Sequence, residues 1–493
     1  MSKKKSYLTV TDQFCGAGGS GQAADKVLKK RGGKVAVALN HWKLATETYQ
    51  QNQTDTLVDC TDISACDPRR YPSTDGLITS PECTTHTPAG GNTHKQLKVQ
   101  MDMFNKNIID PATERSRATM WDVCRFAEYH KYNFIIVENV VEAKTRWALF
   151  DTWLQAMHVL GYNHKCVYTN SMHHHPTPQS RDRMYIVFWK KGNKTPNLNY
   201  TPKAFCPKCQ KDTYAVQVWK NSSKQYGKYK QQYLYACPTC QTLVSPYYYA
   251  AFNCIDWSDF GTKIKDRKKE LSPNTIKRIE YGLKKYGNQP LQVLNYTPGY
   301  TKTESARSAS EDMATQLCRQ TAALLMPPFI GCSAHGGSVH DIKESLGAMT
   351  THQNYDLAHA PFLIEMHRSG KSRKITDVVN TATAGGIKTG IVTSESFNSF
   401  LSYYYKTPQA SHITDPAFSV RTGDNHQLIN YKEPNIEDCY YRMLKPAEIK
   451  LAMAFNPDYK ILGSGKDQVK QLGNAVTPPV MEWLVEQCVE SLN

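Results

Sequence analysis

The fold of this chain is decided near its beginning, by the stretch Tyr7-Leu8-Thr9-Val10-Thr11-Asp12-Gln13-Phe14-Cys15-Gly16-Ala17-Gly18-Gly19. Residues 7–14 form a short β-prone run that ends in a glycine turn, and residues 21–30 have helix composition. A strand, a glycine-rich loop and a helix in this order place backbone N–H groups and the positive end of a helix dipole beside a ligand. A glycine cluster alone is more often a turn than a site, so the prediction depends on the strands further along the chain.

Two further strands extend this pattern. Residues 34–39 form the second, which is followed by Asn40-His41-Trp42, and the third, around residues 58–63, carries Asp62. The ends of such strands are where open α/β sheets hold an adenosyl group. The sequence therefore predicts an α/β, Rossmann-like domain with a ligand site along one edge of its sheet.

Length, charge and cysteine content limit the class of protein. A chain of 493 residues is too long for one compact core and indicates two or three domains. We find no apolar run of about 18 to 20 residues and no signal-peptide core, so we expect a cytoplasmic protein without membrane attachment. Fifteen cysteines spread over this length favour a reducing compartment, and a net charge of +16 favours a polyanionic partner.

Four later blocks carry residues with chemical potential. They are Ser80-Pro81-Glu82-Cys83, Val137-Glu138-Asn139-Val140, Gln179-Ser180-Arg181-Asp182-Arg183 and Gly473-Asn474-Ala475-Val476. Cys83 and Glu138 each follow an apolar strand, which places them at strand ends facing a cleft. Arg181 and Arg183 lie two apart on an extended segment, hence on one face. Taken singly, each has an ordinary alternative as a buried thiol, a solvated carboxylate or a surface charge cluster.

In this order and with these spacings, the five blocks resemble those of the C5-cytosine DNA methyltransferases. The resemblance covers both ends of the chain but not the middle. It implies that Cys83 adds to carbon 6 of a cytosine flipped out of the duplex and pushes electron density onto carbon 5, which then takes a methyl group from S-adenosylmethionine. Glu138 would hydrogen-bond ring N3 and the exocyclic amine, while Arg181 and Arg183 would hold the base carbonyl and lower the thiol pKa.

The resemblance also implies the cofactor site. Its members are drawn from the glycine loop, the ends of the second and third strands and the last block: Phe14, Gly16, Ala17, Gly18, Gly19, Trp42, Asp62, Ile63 and Asn474. Trp42 fits the aromatic residue that stacks on adenine. His41 stands where the family has an acidic ribose ligand, Lys43 follows Trp42, and Glu82 replaces a proline before the nucleophile.

Two alternatives stay open, the first of them prompted by these departures. One is the same fold acting with a variant, more acidic cofactor analogue or on a premodified cytosine. The other is a catalytically silent DNA-binding module, against which the intact Cys83, Glu138 and paired arginines speak. We expect double-stranded DNA as partner, a monomer, a bacterial or phage-encoded origin, and possible association with a restriction endonuclease in a restriction-modification system.

The chain returns to the catalytic domain near its end, so we predict a discontinuous domain of residues 1–200 and 436–493, with residues 201–435 as a β-rich target-recognition region. Within this region, Cys206-Pro207-Lys208-Cys209 and Cys237-Pro238-Thr239-Cys240 predict a zinc ribbon over residues 204–244 with a closed, structural Zn²⁺ site. Lysines and tyrosines between the two pairs suit phosphate contacts and base stacking, or form a solvated face: Lys220, Lys224, Lys228, Lys230, Tyr226, Tyr229 and Tyr233.

Residues 270–435 are predicted to contain a helix and a repeated β segment. Ser272-Pro273 favours a capped helix that runs to Gly287. Similar turn-like blocks then recur at spacings of 33, 32 and 39 residues, counted from Cys318, Thr351, Thr383 and Thr422, which is typical of repeated strand-and-turn units. Candidate base-reading residues on these loops are Arg319, His352, Lys388 and Arg421.

Overall fold

The computed structural model describes residues 7–81, 111–286, 290–294, 305–316, 318, 322–327 and 435–492, together with eleven short strands between residues 100 and 429. For residues 111–118 and for those short strands, the backbone alone is described. The predicted nucleophile Cys83 and its neighbour Glu82 lie outside these residues, as do Arg319, His352, Lys388 and Arg421.

The first 190 residues contain both strands and helices. The strands are β1 Thr9–Gln13, β2 Lys34–Asn40, β3 Leu57–Cys60, β4 Gly76–Thr79, β5 Gln100–Met101, β6 Asn107–Ile108, β7 Phe134–Asn139, β8 Tyr162–Asn170 and β9 Asp182–Lys190. The helices are α1 Gly19–Lys29, α2 Lys43–Asn52, α3 Pro111–His130, α4 Glu142–Arg146 and α5 Phe150–Val159.

Seven of these strands form the central sheet, in the order β3-β2-β1-β4-β7-β9-β8. The first five pair in parallel, whereas β9 runs antiparallel between β7 and β8. Side chains alternate between the two faces along each strand. On β7, Ile135 and Val137 join the core that includes α3 and α5, while Phe134 and Ile136 join the core that includes α1. The predicted mixed α/β fold with a parallel-rich sheet is confirmed.

Five short strands follow β9 and form the ribbon region, as two small sheets: β10 Lys203–Cys206, β11 Lys211–Tyr214, β12 Val216–Trp219, β13 Tyr233–Ala236 and β14 Leu243–Val244. Tyr233 and Tyr235 of β13 are buried in the same apolar core as Met184 and Ile186 of the central sheet. We call the segment between the first and last of these strands, residues 203–244, the ribbon.

Two compact units divide the chain. The first comprises Met1–Ile255, Asp312–Gln320 and Lys445–Asn493. This unit includes the ribbon, because the ribbon's aromatic side chains pack into the core of the central sheet. The sequence pattern groups the ribbon with target recognition. The unit also includes the helices α7 Pro446–Ala452, α8 Gly465–Asn474 and α9 Pro478–Glu490, which are numbered after α6 of the second unit. The assignment of residues 201–435 to target recognition stays a prediction.

The second unit comprises Asp256–Glu311 and Thr321–Leu444. Its helix α6, Pro273–Tyr286, begins where the sequence predicts, and the Ser272 hydroxyl accepts a hydrogen bond from the Thr275 N–H at 3.3 Å. Ile279 and Leu283 of this helix pack on a five-stranded sheet. In the order of the sheet, its strands are β15 Thr262–Lys263, β28 Tyr440–Met443, β18 Ala322–Met326, β16 Leu291–Leu294 and β17 Ala306–Ser308.

Three similar groups of strands follow one another along the sequence between β18 and β28. Each repeat is a three-stranded antiparallel sheet whose first strand is central. The strands are β19 Phe329–Cys332, β20 Ser338–His340, β21 Tyr355–Ala358, β22 Phe362–Glu365, β23 Ser372–Lys374, β24 Thr389–Ile391, β25 Phe400–Tyr403, β26 Gln409–His412 and β27 His426–Ile429. The central strands begin 33 and then 38 residues apart, counted from Phe329, Phe362 and Phe400. What these sheets recognise stays a prediction.

Within the described ranges, none of the helices has the length and apolar character that crossing a bilayer requires.

Candidate active site

One edge of the central sheet gathers the predicted site residues. The carboxyl ends of parallel strands meet at the same edge, so the glycine loop after β1, Pro81 after β4 and Glu138 near the end of β7 share it. Since β9 is antiparallel to β7, its first residues enter at that edge too, which brings Arg183 beside Glu138. Cys83 follows the buried Pro81 by two residues and lies outside the described residues.

Glu138 and Arg183 form an ion pair at this edge. The Arg183 Nε lies 2.8 Å from a Glu138 carboxylate oxygen, and the Glu138 and Arg183 side chains are 12% and 18% exposed. The same guanidinium donates to the main-chain oxygen of Asp182 at 2.8 Å. An ion pair that is largely withdrawn from water has its geometry held by the surrounding protein, and its charges act strongly on a nearby ligand.

Arg181 lies deeper than Arg183 and has different partners. It is buried, and its Nη2 donates to the main-chain oxygens of Gly473 at 3.2 Å and Ala475 at 3.3 Å. Burial, followed by the neighbouring Arg183, lowers the pKa of Arg181 to about 10. Arg181 therefore stays charged at neutral pH and joins β9 to the end of α8. Its predicted role as a clamp on the base stays a prediction.

Asn474, between those two carbonyls, is exposed and accepts a hydrogen bond from the Cys318 thiol, with 2.6 Å between Sγ and Oδ1. Cys318 belongs to a short segment, of which residues 312–316 and 318 are described, that runs beside the block containing the two arginines. The Ser180 N–H donates to the main-chain oxygen of Met313 at 2.8 Å, and Thr315 donates to that of Ser180 at 2.6 Å. The sequence pattern instead groups Cys318 with the repeated turn-like blocks, because no local pattern relates this segment to Ser180 or Asn474.

The glycine loop is tight on one side and open on the other. Phe14, Gly16 and Gly18 have left-handed backbone angles, with φ of 52°, 51° and 92°. A Cβ on Gly19 would lie 2.2 Å from the main-chain oxygen of Val476, whereas a Cβ on Gly16 would meet no atom within 4 Å. Ala17 is buried, and α1 begins directly after the loop. Gly16 is thus the point at which a ligand can approach the backbone closely.

Asp12 is a buried carboxylate that supports this loop, and sequence reasoning missed it. Its two carboxylate oxygens accept hydrogen bonds from Ser20 Oγ at 3.0 and 2.8 Å, and one of them also accepts from Tyr49 at 3.4 Å. Burial raises the pKa of Asp12 to about 7, against the opposing effect of the Ser20 hydrogen bond. The only sign of this role in the sequence is that Asp12 is an acidic residue within the β-prone run of residues 7–14.

The ends of β2 and β3 present the remaining cofactor candidates. Trp42 is half-buried, its main-chain N–H donates to Asn40 Oδ1 at 2.9 Å, and the ammonium of Lys470 lies 4.3 Å from the centre of the indole ring. Asp62 accepts a hydrogen bond from the Ser64 N–H at 3.1 Å, while Ile63 is buried. The two residues that depart from the resemblance, His41 and Lys43, are both exposed.

A family model for the C-5 cytosine-specific DNA methylases matches residues 8–490, which is nearly the whole chain. The chain belongs to that family. It is therefore a methyltransferase, and membership implies the use of S-adenosylmethionine. A search of curated proteins found no match.

Several solved structures resemble the methyltransferase at 12% sequence identity. A DNMT2 mutant from Spodoptera frugiperda aligns over 98% of this chain and 99% of its own, with a TM-score of 0.45. The Entamoeba histolytica methyltransferase EhMeth aligns over 99% of both chains with a TM-score of 0.46. A putative DNA modification methyltransferase encoded within an E. coli prophage also aligns over 99% of both, with a TM-score of 0.43.

The ribbon of the methyltransferase brings its four cysteines together. The sulfur atoms of Cys206, Cys209, Cys237 and Cys240 all lie within 4.8 Å of one another. Cys206 and Cys240 are 3.4 Å apart and Cys209 and Cys237 are 3.9 Å apart, close to the roughly 3.8 Å between sulfurs on a tetrahedral zinc. Each pair is followed by a glutamine with left-handed φ, 53° at Gln210 and 61° at Gln241. Two matching turns thus present four thiols to one point.

The structure narrows the predicted role of the ribbon's lysines and tyrosines. Tyr229 and Tyr233 are buried, so neither ring is available to stack on a base. Lys228 is paired with Glu142 at 2.6 Å. Lys220, Lys224 and Lys230 are exposed. Any contact between the ribbon and phosphate groups is therefore limited to part of the set.

Proposed function

We propose that this methyltransferase transfers a methyl group from S-adenosylmethionine to carbon 5 of cytosine in duplex DNA. The observation that carries the proposal is the Glu138–Arg183 ion pair at the carboxyl edge of the sheet, where the family's acid and cation are expected. The net charge of +16 supports a polyanionic substrate.

The residues of this edge fit the cofactor. The open face of Gly16 leaves room for a ligand beside the loop, and the N-terminus of α1 lies directly behind it. Trp42, half-buried at the end of β2, would stack on adenine, and Asp62, Ile63 and Asn474 would complete the walls. When bound, the cofactor supplies the methyl group, while the protein orients the acceptor base.

The chemistry on the base follows from the residues of the chain. Carbon 5 of cytosine is a poor nucleophile, so the Cys83 thiolate would form a bond to carbon 6 and raise the electron density at carbon 5. Glu138 would hydrogen-bond N3 and the exocyclic amine, and Arg183, held by Glu138, would bind the base carbonyl. Once carbon 5 is methylated, its proton leaves to a base and the electron pair of that C–H bond expels the thiolate. The base must leave the stack for the thiolate to reach carbon 6.

We also propose that the four ribbon cysteines hold one structural Zn²⁺. All four ligand positions would be filled by protein thiolates, which leaves no open position for catalysis. Metal analysis of the purified protein should find one zinc per chain, and Cys209→Ser should lower that content. A metal-free wild-type protein with an intact fold would contradict this assignment.

Nucleoside mass spectrometry tests the enzymatic proposal. Unmodified duplex DNA incubated with the protein and S-adenosylmethionine should gain one methyl group on deoxycytidine, and Cys83→Ser should bind both ligands without turnover. A parallel incubation with RNA separates the two nucleic-acid substrates. Normal turnover by Cys83→Ser would contradict the nucleophile assignment. Cofactor binding without any product would instead favour the alternatives of a variant cofactor, a premodified cytosine or a silent binder.

The predicted duplex-DNA partner, monomeric state and associated restriction endonuclease remain proposals that the same purified protein can test.

A further inference from the structure

A loop of the ribbon contacts both segments that carry the Glu138–Arg183 pair. This loop, residues 220–232, joins β12 to β13 and is called here the ribbon loop. One catalytic segment is the turn after β7, which continues from Glu138 into α4. The other is the entry to β9, which contains Arg181 and Arg183. The two segments are far apart in sequence, and the ribbon loop reaches both with adjacent residues.

The first contact is made to Asp182, which stands between the two arginines. The Tyr229 N–H donates to the Asp182 carboxylate at 3.0 Å. Burial raises the pKa of Asp182 to about 6, against the lowering effect of that hydrogen bond. A carboxylate largely withdrawn from water is costly without donors, so this backbone N–H, together with the side chain of Asn170, holds the Asp182 side chain in place. The neighbouring Arg183 side chain, on the opposite side of the extended segment, is then directed toward Glu138.

The second contact is made to the segment that carries Glu138. Lys228 Nζ lies 2.6 Å from the carboxylate of Glu142, with the Lys228 and Glu142 side chains 30% and 16% exposed. Glu142 is the first residue of α4 and lies one short turn beyond Glu138. This ion pair therefore holds the turn that leads out of the catalytic strand.

The ribbon loop is itself anchored on the sheet and on the cysteine cluster. The His173 ring, buried just after β8, lies edge-on to the rings of Tyr229 and Tyr235 at 4.5 and 5.0 Å between centroids. The side chain of Gln217 donates to the main-chain oxygen of Tyr168 at 3.0 Å. Strand β13, which leaves the loop, runs directly into Cys237. A metal on the four thiols would thus fix the strand that ends the loop.

We propose that the ribbon loop is a positioning element of the methyltransferase, which holds the two catalytic segments together through Lys228–Glu142 and Tyr229–Asp182 and couples metal occupancy of the cysteine cluster to the geometry of Glu138 and Arg183. Its kinetic consequences rest on the proposed function. The structural part does not, because it concerns contacts within the protein alone.

A matched pair of substitutions tests the proposal. Lys228→Met removes the ion pair with Glu142, whereas Lys224→Met removes the same charge from an exposed position of the same loop. We expect kcat to fall on the order of tenfold to a hundredfold in Lys228→Met, with little change in KM for DNA, because displaced catalytic groups slow the chemical step. In Lys224→Met, loss of a phosphate contact should raise KM for DNA while kcat keeps its wild-type value, and Lys228→Arg, which restores the charge, should recover most of the lost kcat.

Hydrogen–deuterium exchange provides a readout that needs no substrate. Lys228→Met, and wild-type protein after removal of zinc with a chelator, should both exchange faster than zinc-loaded wild type in peptides covering residues 138–146 and 181–190. Lys224→Met should exchange like wild type. Glu142→Gln, which removes the same ion pair without changing the ribbon, should give the same faster exchange. This result would distinguish loss of positioning from a folding defect of the ribbon.

Equal kcat and equal exchange in Lys228→Met and Lys224→Met would overturn the proposal, since loss of the ion pair with Glu142 would then have no effect of its own. Unchanged exchange in the two peptides after zinc removal would overturn the coupling to the metal. If the wild-type protein lacks cytosine methylation but the exchange differences appear, the proposed function fails while the positioning role stands.

Discussion

The carboxyl group of Asp12 lies in the buried strand β1, directly behind the glycine loop, and its hydrogen bonds come from neutral groups, the hydroxyls of Ser20 and Tyr49 and the main-chain N–H of Gly21. Such donors stabilise a carboxylate less than a cation does, so burial dominates and raises its pKa from 3.8 to about 7. The folded protein therefore binds this proton more tightly than the unfolded chain. The contribution to stability is complete below about pH 4 and is lost as the pH rises to about 7.

We expect Asp12→Asn to remove this pH dependence. The wild-type free energy of unfolding should fall relative to that of the variant between about pH 4 and pH 7, by at most about 4 kcal/mol. The asparagine oxygen can still accept from Ser20. Urea titrations at about pH 5 and pH 8, on either side of the raised pKa, measure the difference, with Asp55→Asn as a control at an exposed position. Parallel pH profiles for wild type and Asp12→Asn would show that the loop does not depend on this proton.

Arg181 and Arg183 are neighbours in the motif but differ in what they contact. Arg181→Met should reduce the free energy of unfolding by about 1 to 3 kcal/mol, because the Gly473 and Ala475 carbonyls lose a buried donor. Arg183→Met should unfold more nearly like wild type and slow methyl transfer about a hundredfold or more, because in the proposed mechanism Arg183 binds the base carbonyl. Urea unfolding and single-turnover methylation distinguish the two. Equal loss of stability in both variants would contradict this division.

At the scale of elements, two glycines between β1 and α1 have different roles: Gly19 packs against the protein backbone, and Gly16 faces open space where a ligand can approach. Gly19→Ala should destabilise the protein by about 1 to 3 kcal/mol, because its Cβ would meet the backbone of Val476. The Cβ added in Gly16→Ala would meet open space, so the free energy of unfolding should fall by only about 1 kcal/mol, the cost of a left-handed backbone angle at a residue other than glycine. This substitution should weaken S-adenosylmethionine binding more than it lowers stability.

Isothermal titration with the cofactor and thermal unfolding together test this pair of glycines. Gly19→Ala should show the larger fall in melting temperature. Gly16→Ala should show a small fall in melting temperature and a large loss of cofactor affinity. Undiminished cofactor binding in Gly16→Ala would place the ligand away from the open face of the loop.

Some elements follow from local sequence alone. The Ser272 cap, the start of α6 and the two cysteine turns were predictable, because each depends on residues within a few positions of one another. The ribbon's attachment to the sheet was not, because Tyr229, Tyr233 and Tyr235 resemble exposed stacking residues until the core that receives them is known. A lysine-and-tyrosine-rich segment has the same local pattern in both settings.

At the scale of the whole molecule, the excess positive charge should govern binding to nucleic acid. If the protein contacts about 6 to 10 phosphates, its affinity for DNA should fall by about 10³ to 10⁵ between roughly 50 and 200 mM salt, because each contact releases condensed counterions. Cofactor affinity should change little over the same range. Fluorescence anisotropy with a labelled duplex measures the slope, and a flat salt dependence would contradict a phosphate-dominated interface.

The sequence by itself determined the family, the order of the motif blocks, the α/β class and the grouping of four cysteines. Each of these depends on residue type and on spacing along the chain. The tertiary structure alone decided that Arg183 pairs with Glu138 while Arg181 binds the carbonyls at the end of α8, that Asp12 is buried, and that Lys228 pairs with Glu142. Ion pairs and burial arise between residues distant in sequence, and their energies depend on distance and exposure, which only the packed chain defines.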